Sequence, residues 1–327
     1  MCSFDSRHCR WAIVVFAFSL CTLTSFEANA QVLWGDSAKY DDGGLNPTVA
    51  ITNVGTVVEL HNGGSGVGPL WYRVGQRSGL TIQWGKSAKY DNGGLNPTVA
   101  VTNDGTVVEV HNGGAGVGPL WYRVGRVSGS TIQWGNSVKY DNGGVNPAVA
   151  TNGTDVVEVH NGGAGVGPLW YRLGRLSGLT IQWGNSAKYD DGGLNPTVAV
   201  TNDGTVVEVH NGGAGVGPLW YRVGRVSGSI IQWGNSVKYD DGGLNPTVAS
   251  NGVRTIVEVH NGGARVGPLW YRLGQLSGLT IQWGDSAKYD NGGLNPAVGM
   301  NVNGTVIEVH NGGAGTGPLW YRVGRIR

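Results

Sequence analysis

Cysteine and phenylalanine are nearly absent from this chain of 327 residues. All three cysteines (Cys2, Cys9 and Cys21) and all four phenylalanines lie within the first 30 residues. Residues 31–327 therefore contain no cysteine, which excludes both a disulfide framework and thiolate chemistry from that part of the chain.

Charge of either sign is also sparse, and the formal net charge is only +1. No basic tract is present, so the sequence lacks the electrostatic signature of a protein that binds nucleic acid or an anionic membrane. After residue 30 no hydrophobic run is long enough to span a bilayer, so we expect no membrane insertion. No stretch shows an apolar period of 3.6 residues, and the sequence therefore predicts an all-β protein.

The first 30 residues have the three-part layout of a secretory signal peptide. Arg7 and Arg10 precede an apolar run over residues 11–23, and an A-x-A cleavage signal follows at residues 28–30. We expect cleavage after Ala30 and a secreted or periplasmic mature protein, with residues 31–327 forming a single domain.

One stretch, HNGGAGVGPLWYRVG at residues 111–125, recurs almost unchanged six times. The histidines that begin the six copies are 49 or 50 residues apart, and a tryptophan follows each of them ten residues later. A fixed period near 50 is typical of an array built from one repeated supersecondary unit.

Each repeat predicts four antiparallel strands. In the second copy these are NPTVAVT, TVVEVH after an Asn-Asp-Gly turn, PLWYRVG after the glycine-rich loop, and STIQWGNSVKY. A further loop, NGGVN, is expected before the next copy. Four strands in each of six repeats are the pattern of a six-bladed β-propeller of four-stranded antiparallel blades.

The two ends of the mature chain favour a closed ring. The segment QVLWGDSAKYD at residues 31–41 is a fourth-strand sequence that precedes the first complete repeat, and the chain stops after a third strand at residues 318–327. Pairing the N-terminal strand with the last blade would complete that blade and protect its edge.

Antiparallel connectivity places the glycine-rich loops and the YDNGGLNP segments on one face of such a ring. An indole beside short polar side chains and exposed backbone suits a sugar, because pyranose rings stack on tryptophan while polar groups fix the hydroxyls. The sequence therefore predicts six shallow carbohydrate-binding sites on this face. The candidate histidines are His61, His111, His160, His210, His260 and His310, and the asparagines are Asn62, Asn112, Asn161, Asn211, Asn261 and Asn311. The candidate tryptophans are Trp71, Trp121, Trp170, Trp220, Trp270 and Trp320, and the aspartates are Asp41, Asp91, Asp141, Asp190, Asp240 and Asp290.

A structural interpretation of the same residues stays open, because aromatic residues in strands usually form the core and a strand-end histidine is often structural. A salt bridge between blades would explain Arg123 and Glu109 equally well. Calcium could bind the D-x-G-G-x-N segments, but their spacing is not that of a known calcium loop, and we predict no cofactor.

Catalysis needs unlike groups at unlike positions, and six near-copies offer none. Each repeat has one glutamate and only turn-type aspartates, whereas glycoside hydrolysis uses two carboxylates in different environments. The segment SVKYDNGG lacks the spacing of the sialidase Asp-box. The sequence therefore predicts that the protein is not an enzyme.

The order P-x-V-A, V-V-E-V-H, P-L-W-Y-R-V-G and I-x-W-G resembles the tandem-repeat β-propeller lectins of the tectonin-like and Photorhabdus-type families. The resemblance covers residues 31–327 and implies carbohydrate binding on or between blades, with glycans or glycoconjugates as partners. No ligand residue is carried over from those families. The alternative is a non-enzymatic scaffold or adhesion propeller with a protein partner, and the sequence makes no prediction of oligomeric state.

Overall fold

The computed structural model describes residues 30–327, so the predicted signal peptide lies almost wholly outside the described residues. Within them the chain is all-β: 24 strands form six similar units, and no helix is present in the described range. No helix of residues 30–327 is therefore long and apolar enough to cross a membrane.

Four kinds of strand recur in each unit. The long strands are β2 (Ala38–Ile51), β6 (Ala88–Val101), β10 (Val138–Thr151), β14 (Ala187–Val200), β18 (Val237–Ser250) and β22 (Ala287–Met300). The valine-rich strands are β3 (Thr56–Asn62), β7 (Thr106–Asn112), β11 (Asp155–Asn161), β15 (Thr205–Asn211), β19 (Thr255–Asn261) and β23 (Thr305–Asn311). The tryptophan strands are β4 (Gly68–Ser78), β8 (Gly118–Ser128), β12 (Gly167–Ser177), β16 (Gly217–Ser227), β20 (Gly267–Ser277) and β24 (Gly317–Ile326). The short strands are β1 (Val32–Trp34), β5 (Thr81–Trp84), β9 (Thr131–Trp134), β13 (Thr180–Trp183), β17 (Ile230–Trp233) and β21 (Thr280–Trp283).

Each long strand takes part in two neighbouring ladders. Residues 138–144 of β10 pair with β8, and residues 145–151 pair with β11 of the next unit. The loop expected at NGGVN is therefore wrong, because those residues continue the strand through two shifts of register. Asn146 absorbs the bend with a φ of 53°, a left-handed conformation that asparagine tolerates better than most residues.

The six units close into a ring. Every long strand contacts the long strand of the next unit, and β22 contacts β2. The expected pairing of the two ends is observed, since β1 pairs antiparallel with residues 324–326 of β24 and the first half of β2 pairs with residues 317–321. The ring therefore has no unpaired seam between the two ends of its described residues.

The hydrophobic core lies between neighbouring units. Val107 and Val108 are fully buried, because both faces of the valine-rich strand β7 are covered by adjacent sheets. Aromatic pairs join the units further out: the Trp84 ring stacks on Tyr40 of the preceding unit, with ring centroids 5.0 Å apart. Full burial of one such aliphatic side chain stabilises the fold by about 1.5 to 3 kcal/mol, so every unit depends on its neighbours.

Adjacent glycines in the long strand β6 have opposite surroundings. A Cβ atom on Gly94 would lie 2.7 Å from His111 Cδ2 and from Leu70 Cδ1, whereas on Gly93 it would meet only Val67 at 3.9 Å. We expect Gly94→Ala to lower the free energy of unfolding by about 1 to 3 kcal/mol through overpacking. Gly93→Ala should change it by less than about 0.5 kcal/mol. Denaturant unfolding of both variants tests this, and equal losses would contradict the packing described here.

Candidate functional site

A tryptophan on the third strand of each unit carries the surface at which a ligand could stack. Trp71 lies on β4, opposite His61 of β3 and Lys89 of β6, and its side chain is half-buried. A Cβ atom on Gly63 would lie 2.6 Å from the indole Nε1, so the glycine-rich loop packs directly against the ring edge. All six units repeat this contact.

An ion pair between neighbouring units lies on the same side of the sheet as this indole. Arg73 is two residues beyond Trp71, and alternate residues of a strand point to the same face. Its Nε and Nη2 atoms both lie 2.8 Å from Oδ2 of Asp41, a residue of the preceding unit, and its Nη1 donates to the Gly85 carbonyl at 3.0 Å. The side chains of Arg73 and Asp41 are only 20% and 13% exposed. The equivalent pairs are Arg123–Asp91, Arg172–Asp141, Arg222–Asp190, Arg272–Asp240 and Arg322–Asp290.

In five of these pairs the surroundings lower the pKa of the aspartate and so favour its charged form; the five are Asp41, Asp91, Asp141, Asp190 and Asp290. Although partial burial raises the pKa of Asp41, the backbone N–H of Gly43 and the Arg73 guanidinium outweigh it, and the net pKa lies below its ordinary value. The surface where two units meet thus carries one half-buried indole and one charge-balanced pair. Such a pair can exchange hydrogen bonds with hydroxyl groups of a ligand.

The candidate histidines lie beneath this surface. His61 is 2% exposed, and its Nδ1 lies 3.0 Å from Oε1 of Glu59, which is fully buried. Tyr40 of the preceding unit donates its hydroxyl to the same carboxylate at 2.9 Å. Burial by itself lowers the pKa of His61. The adjacent Glu59 carboxylate raises the pKa by more than burial lowers it, so the net pKa is above its ordinary value.

The candidate asparagines are equally enclosed. Asn62 is 1% exposed; its Oδ1 accepts the backbone N–H of Asn96 at 3.1 Å, and its Nδ2 donates to the Gly94 carbonyl at 3.4 Å. This side chain therefore fixes the bend of the next long strand, and the same bonds recur in every unit.

The placement of the predicted site residues needs a correction. The side chains that are at most 2% exposed and bonded within the protein are those of His61, His111, His160, His210, His260 and His310, and of Asn62, Asn112, Asn161, Asn211, Asn261 and Asn311. These side chains are not available as surface contacts, because the preceding unit covers the end of the valine-rich strand. The tryptophans and aspartates remain candidates, and whether any of these residues binds a sugar stays a prediction.

Sequence reasoning missed the arginine as a member of this surface. The sequence favours a salt bridge between blades for Arg123 and Glu109; the two residues stand opposite each other on β7 and β8, but only Arg123 forms an ion pair with a neighbouring unit. Arg123 pairs with Asp91 of the preceding unit, whereas Glu109 bonds His111 within its own strand. The i, i+2 relation of Trp121 and Arg123 on one strand was the signal that could have grouped them.

The D-x-G-G-x-N segments hold no cluster of metal-ligating side chains. The Asp41 carboxylate accepts from Gly43 and from Arg73, so both of its oxygens are engaged within the protein. Across residues 30–327 no group of three or more His, Cys, Asp or Glu side chains is arranged to hold a metal ion.

The buried histidines and the paired aspartates predict how stability depends on pH. Each folded-state histidine pKa is above its unfolded value of about 6.5, so that stabilisation is complete below pH 6.5 and is lost as the pH rises through the folded value. The pKa values of Asp41, Asp91, Asp141, Asp190 and Asp290 are below the unfolded value of about 3.9, so that contribution is complete above about pH 4 and is lost on further acidification. We expect thermal unfolding scans to place the highest melting temperature between about pH 4 and 6.5. A melting temperature that rises steadily from pH 6 to 9 would contradict this assignment.

No known family model matches the chain, and no curated protein is detectably similar to it in sequence. Solved structures do resemble it. A protein of unknown function from Dyadobacter fermentans is 14% identical with a TM-score of 0.62, and the match covers 90% of this chain and 99% of that one. The NanB sialidase of Streptococcus pneumoniae is 8% identical with a TM-score of 0.61, over 89% of this chain and 70% of that one. YjhT is 13% identical with a TM-score of 0.58, over 88% of this chain and 98% of that one.

At these identities the likeness establishes the fold alone, and that fold is a tandem-repeat β-propeller. The comparisons also correct one prediction. The sequence predicted that the protein is not an enzyme, and that exclusion is wrong because several of the similar structures are sialidases. Six near-identical repeats do not by themselves exclude catalysis, since structures with a similar fold include sialidases.

Proposed function

We propose that the chain is a six-bladed β-propeller of four-stranded blades that binds carbohydrate at several equivalent sites. In this assignment a blade comprises the second half of a long strand, a valine-rich strand, a tryptophan strand and an outer strand. The outer strand joins a short strand to the first half of the next long strand, and β1 with β2 completes the last blade. The closed ring of long-strand contacts and the 24 strands support this assignment.

One observation carries the function: every junction between neighbouring blades presents a half-buried indole and, two residues further along the same strand, an arginine paired with an aspartate. The indole offers an apolar face for the C–H groups of a pyranose ring, and the ion pair offers charge-assisted donors and acceptors for hydroxyl groups. Six such junctions around one ring would give avidity for a multivalent glycan even when each site is weak. The sialidases among the similar structures act on glycans and are consistent with this proposal. We further propose, from the predicted signal peptide, that the protein acts outside the cytoplasm.

A glycan array probed with the mature protein tests the proposal. We expect binding to a defined class of sugars, and a loss of at least about 100-fold when the six third-strand tryptophans are replaced by alanine. Near-UV circular dichroism of that variant checks folding, because the six fourth-strand tryptophans and their tyrosine partners remain. A blank array from well-folded wild-type protein would overturn the carbohydrate-binding proposal.

A matched control exists in the chain itself. Five glycine-rich loops carry an exposed valine where the sixth carries Thr316; the five are Val67, Val117, Val166, Val216 and Val266. Replacing all five by threonine copies a residue that the loop already accommodates and leaves the indoles intact. We expect sugar binding to be unchanged in this variant.

These valines also support a second candidate function, a propeller that binds a protein partner. They are 43% to 49% exposed and are arranged one to a blade on the glycine-rich face. If the protein binds a protein partner through these valines, the five-threonine variant should lose that partner. If it binds glycans through the tryptophans, the alanine variant of the six tryptophans should lose glycan binding and the five-threonine variant should keep it. The two variants therefore separate the two functions.

A further inference from the structure

A closed ring of six asparagine side chains surrounds the axis of the molecule. Each donates its Nδ2 to the Oδ1 of the equivalent residue in the next unit at 2.6 or 2.7 Å, and the sixth closes the cycle on the first. The ring consists of Asn46, Asn96, Asn146, Asn195, Asn245 and Asn295.

The ring is held rigidly by the backbone. All six residues have φ between 49° and 53°, and the backbone N–H of each donates to the buried asparagine that ends a valine-rich strand. The amide groups are thus fixed by contacts that do not depend on a ligand, and preorganisation of this kind lowers the entropic cost of binding.

A pocket of about 310 Å³ opens at this ring, within the range of about 300 to 1,000 Å³ typical of small-molecule sites. Its wall is built from the ring asparagines, the prolines that follow them, and threonine or alanine one residue later. No lining residue carries a formal charge. An ion of either sign would therefore enter without a compensating partner, which disfavours charged ligands.

The amides retain unused hydrogen-bonding capacity. A carboxamide has two N–H donors and an oxygen with two acceptor positions, and the ring uses one of each. Among residues 30–327 these amides make no other side-chain bond than those of the ring. Six donors and six acceptor positions are therefore left at one small opening, in equal number.

We propose that this axial pocket binds one small, neutral, hydroxyl-rich molecule, a polyol or a free monosaccharide. A hydroxyl group both donates and accepts, as the free amide positions require, and the pyrrolidine rings of Pro47 and its equivalents contact the C–H surface of the ligand. The site occurs once per chain, whereas the blade junctions of the proposed function occur six times. It stands independently of that function, because none of the third-strand tryptophans lines the pocket.

Nuclear magnetic resonance of the wild-type mature protein tests the site without any substitution. Glycerol, myo-inositol and D-glucose are titrated separately into ¹⁵N-labelled protein. We expect at least one of them to shift the side-chain amide signals of the ring asparagines with a stoichiometry of one, while the indole Nε1–H signals of the third-strand tryptophans stay in place. If none of the three shifts the asparagine signals, or if only the indole signals move, the proposal is overturned.

Substitution at opposite points of the ring adds a second test. In Asn96→Gly/Asn245→Gly, glycine keeps the left-handed backbone while two amides are removed. We expect this variant to bind the responding polyol about tenfold more weakly or worse. The variant lacking all six third-strand tryptophans should bind it with unchanged affinity. Unaltered polyol binding by the glycine variant would overturn the proposal.

Discussion

Replacing Val32 and Trp34 together by alanine is expected to lower the free energy of unfolding by on the order of 5 kcal/mol. Val32 is buried, and Trp34 stacks on Tyr289 with ring centroids 4.9 Å apart. These side chains belong to β1, the strand that joins the start of the described chain to its end. Their loss removes the packing that holds β1 against β24. The edge of β24 is then exposed, and the last unit no longer has its outer strand. Chemical denaturation of the mature protein measures the effect.

Leu33 provides the matched control on the same strand. It points to the opposite face from Val32 and Trp34, and glutamine occupies the equivalent position in the other five short strands. We expect Leu33→Gln to change the stability by less than about 1 kcal/mol. Comparable losses from the control and from the double variant would show that β1 does not close the ring.

Removing the buried glutamate of one unit is expected to be nearly as damaging. Glu109 is fully buried, lies 2.8 Å from His111 Nδ1 and accepts the hydroxyl of Tyr90 at 3.1 Å. In Glu109→Ala the side chains of His111 and Tyr90 stay buried but lose their hydrogen-bond acceptor. Removing one partner of a buried ionic pair costs about 3 to 5 kcal/mol of stability. The loss should be seen in denaturant unfolding at pH 6.

Two further variants serve as controls for Glu109→Ala. Glu109→Gln keeps the shape and an acceptor oxygen, so we expect a smaller loss than with alanine. Arg126→Ala removes one partner of the largely exposed pair with Asp104 and leaves the turn contacts of Asp104 in place; exposed pairs contribute about 0 to 1 kcal/mol. If Glu109→Ala costs no more than Arg126→Ala, the buried cluster does not stabilise the unit.

Several features of the architecture could be predicted from local sequence. The 50-residue period, the Asn-Asp-Gly turn and the β-branched runs indicated a repeated all-β unit, because hairpin signals depend on neighbouring residues only. The strand-like sequence at residues 31–41 predicted that the two ends pair, and β1 and β2 do pair with β24. The prediction for the segment after Asp141 was wrong. Its glycines indicated a loop, but the two halves of β10 pair with strands of different units.

The candidate site, too, could be predicted only in part from local sequence. His111 and Trp121 stand in register on adjacent strands, and sequence reasoning placed both on the surface. The neighbouring unit decides their exposure, since Gly94 packs against the His111 ring and leaves the Trp121 indole half-buried. The side chain that Arg123 binds, Asp91, is 32 residues away and in another unit. No local pattern contains that contact.

By itself the sequence therefore determined the repeat, the strand character of its segments, the joining of its ends and the residue types available on one face. Only the tertiary structure decided which of those residues are covered, which ions pair and how six asparagines meet around the axis. The physical reason is that turn and strand preferences are properties of adjacent residues, whereas burial, ion pairing and the asparagine ring arise where one unit packs against the next.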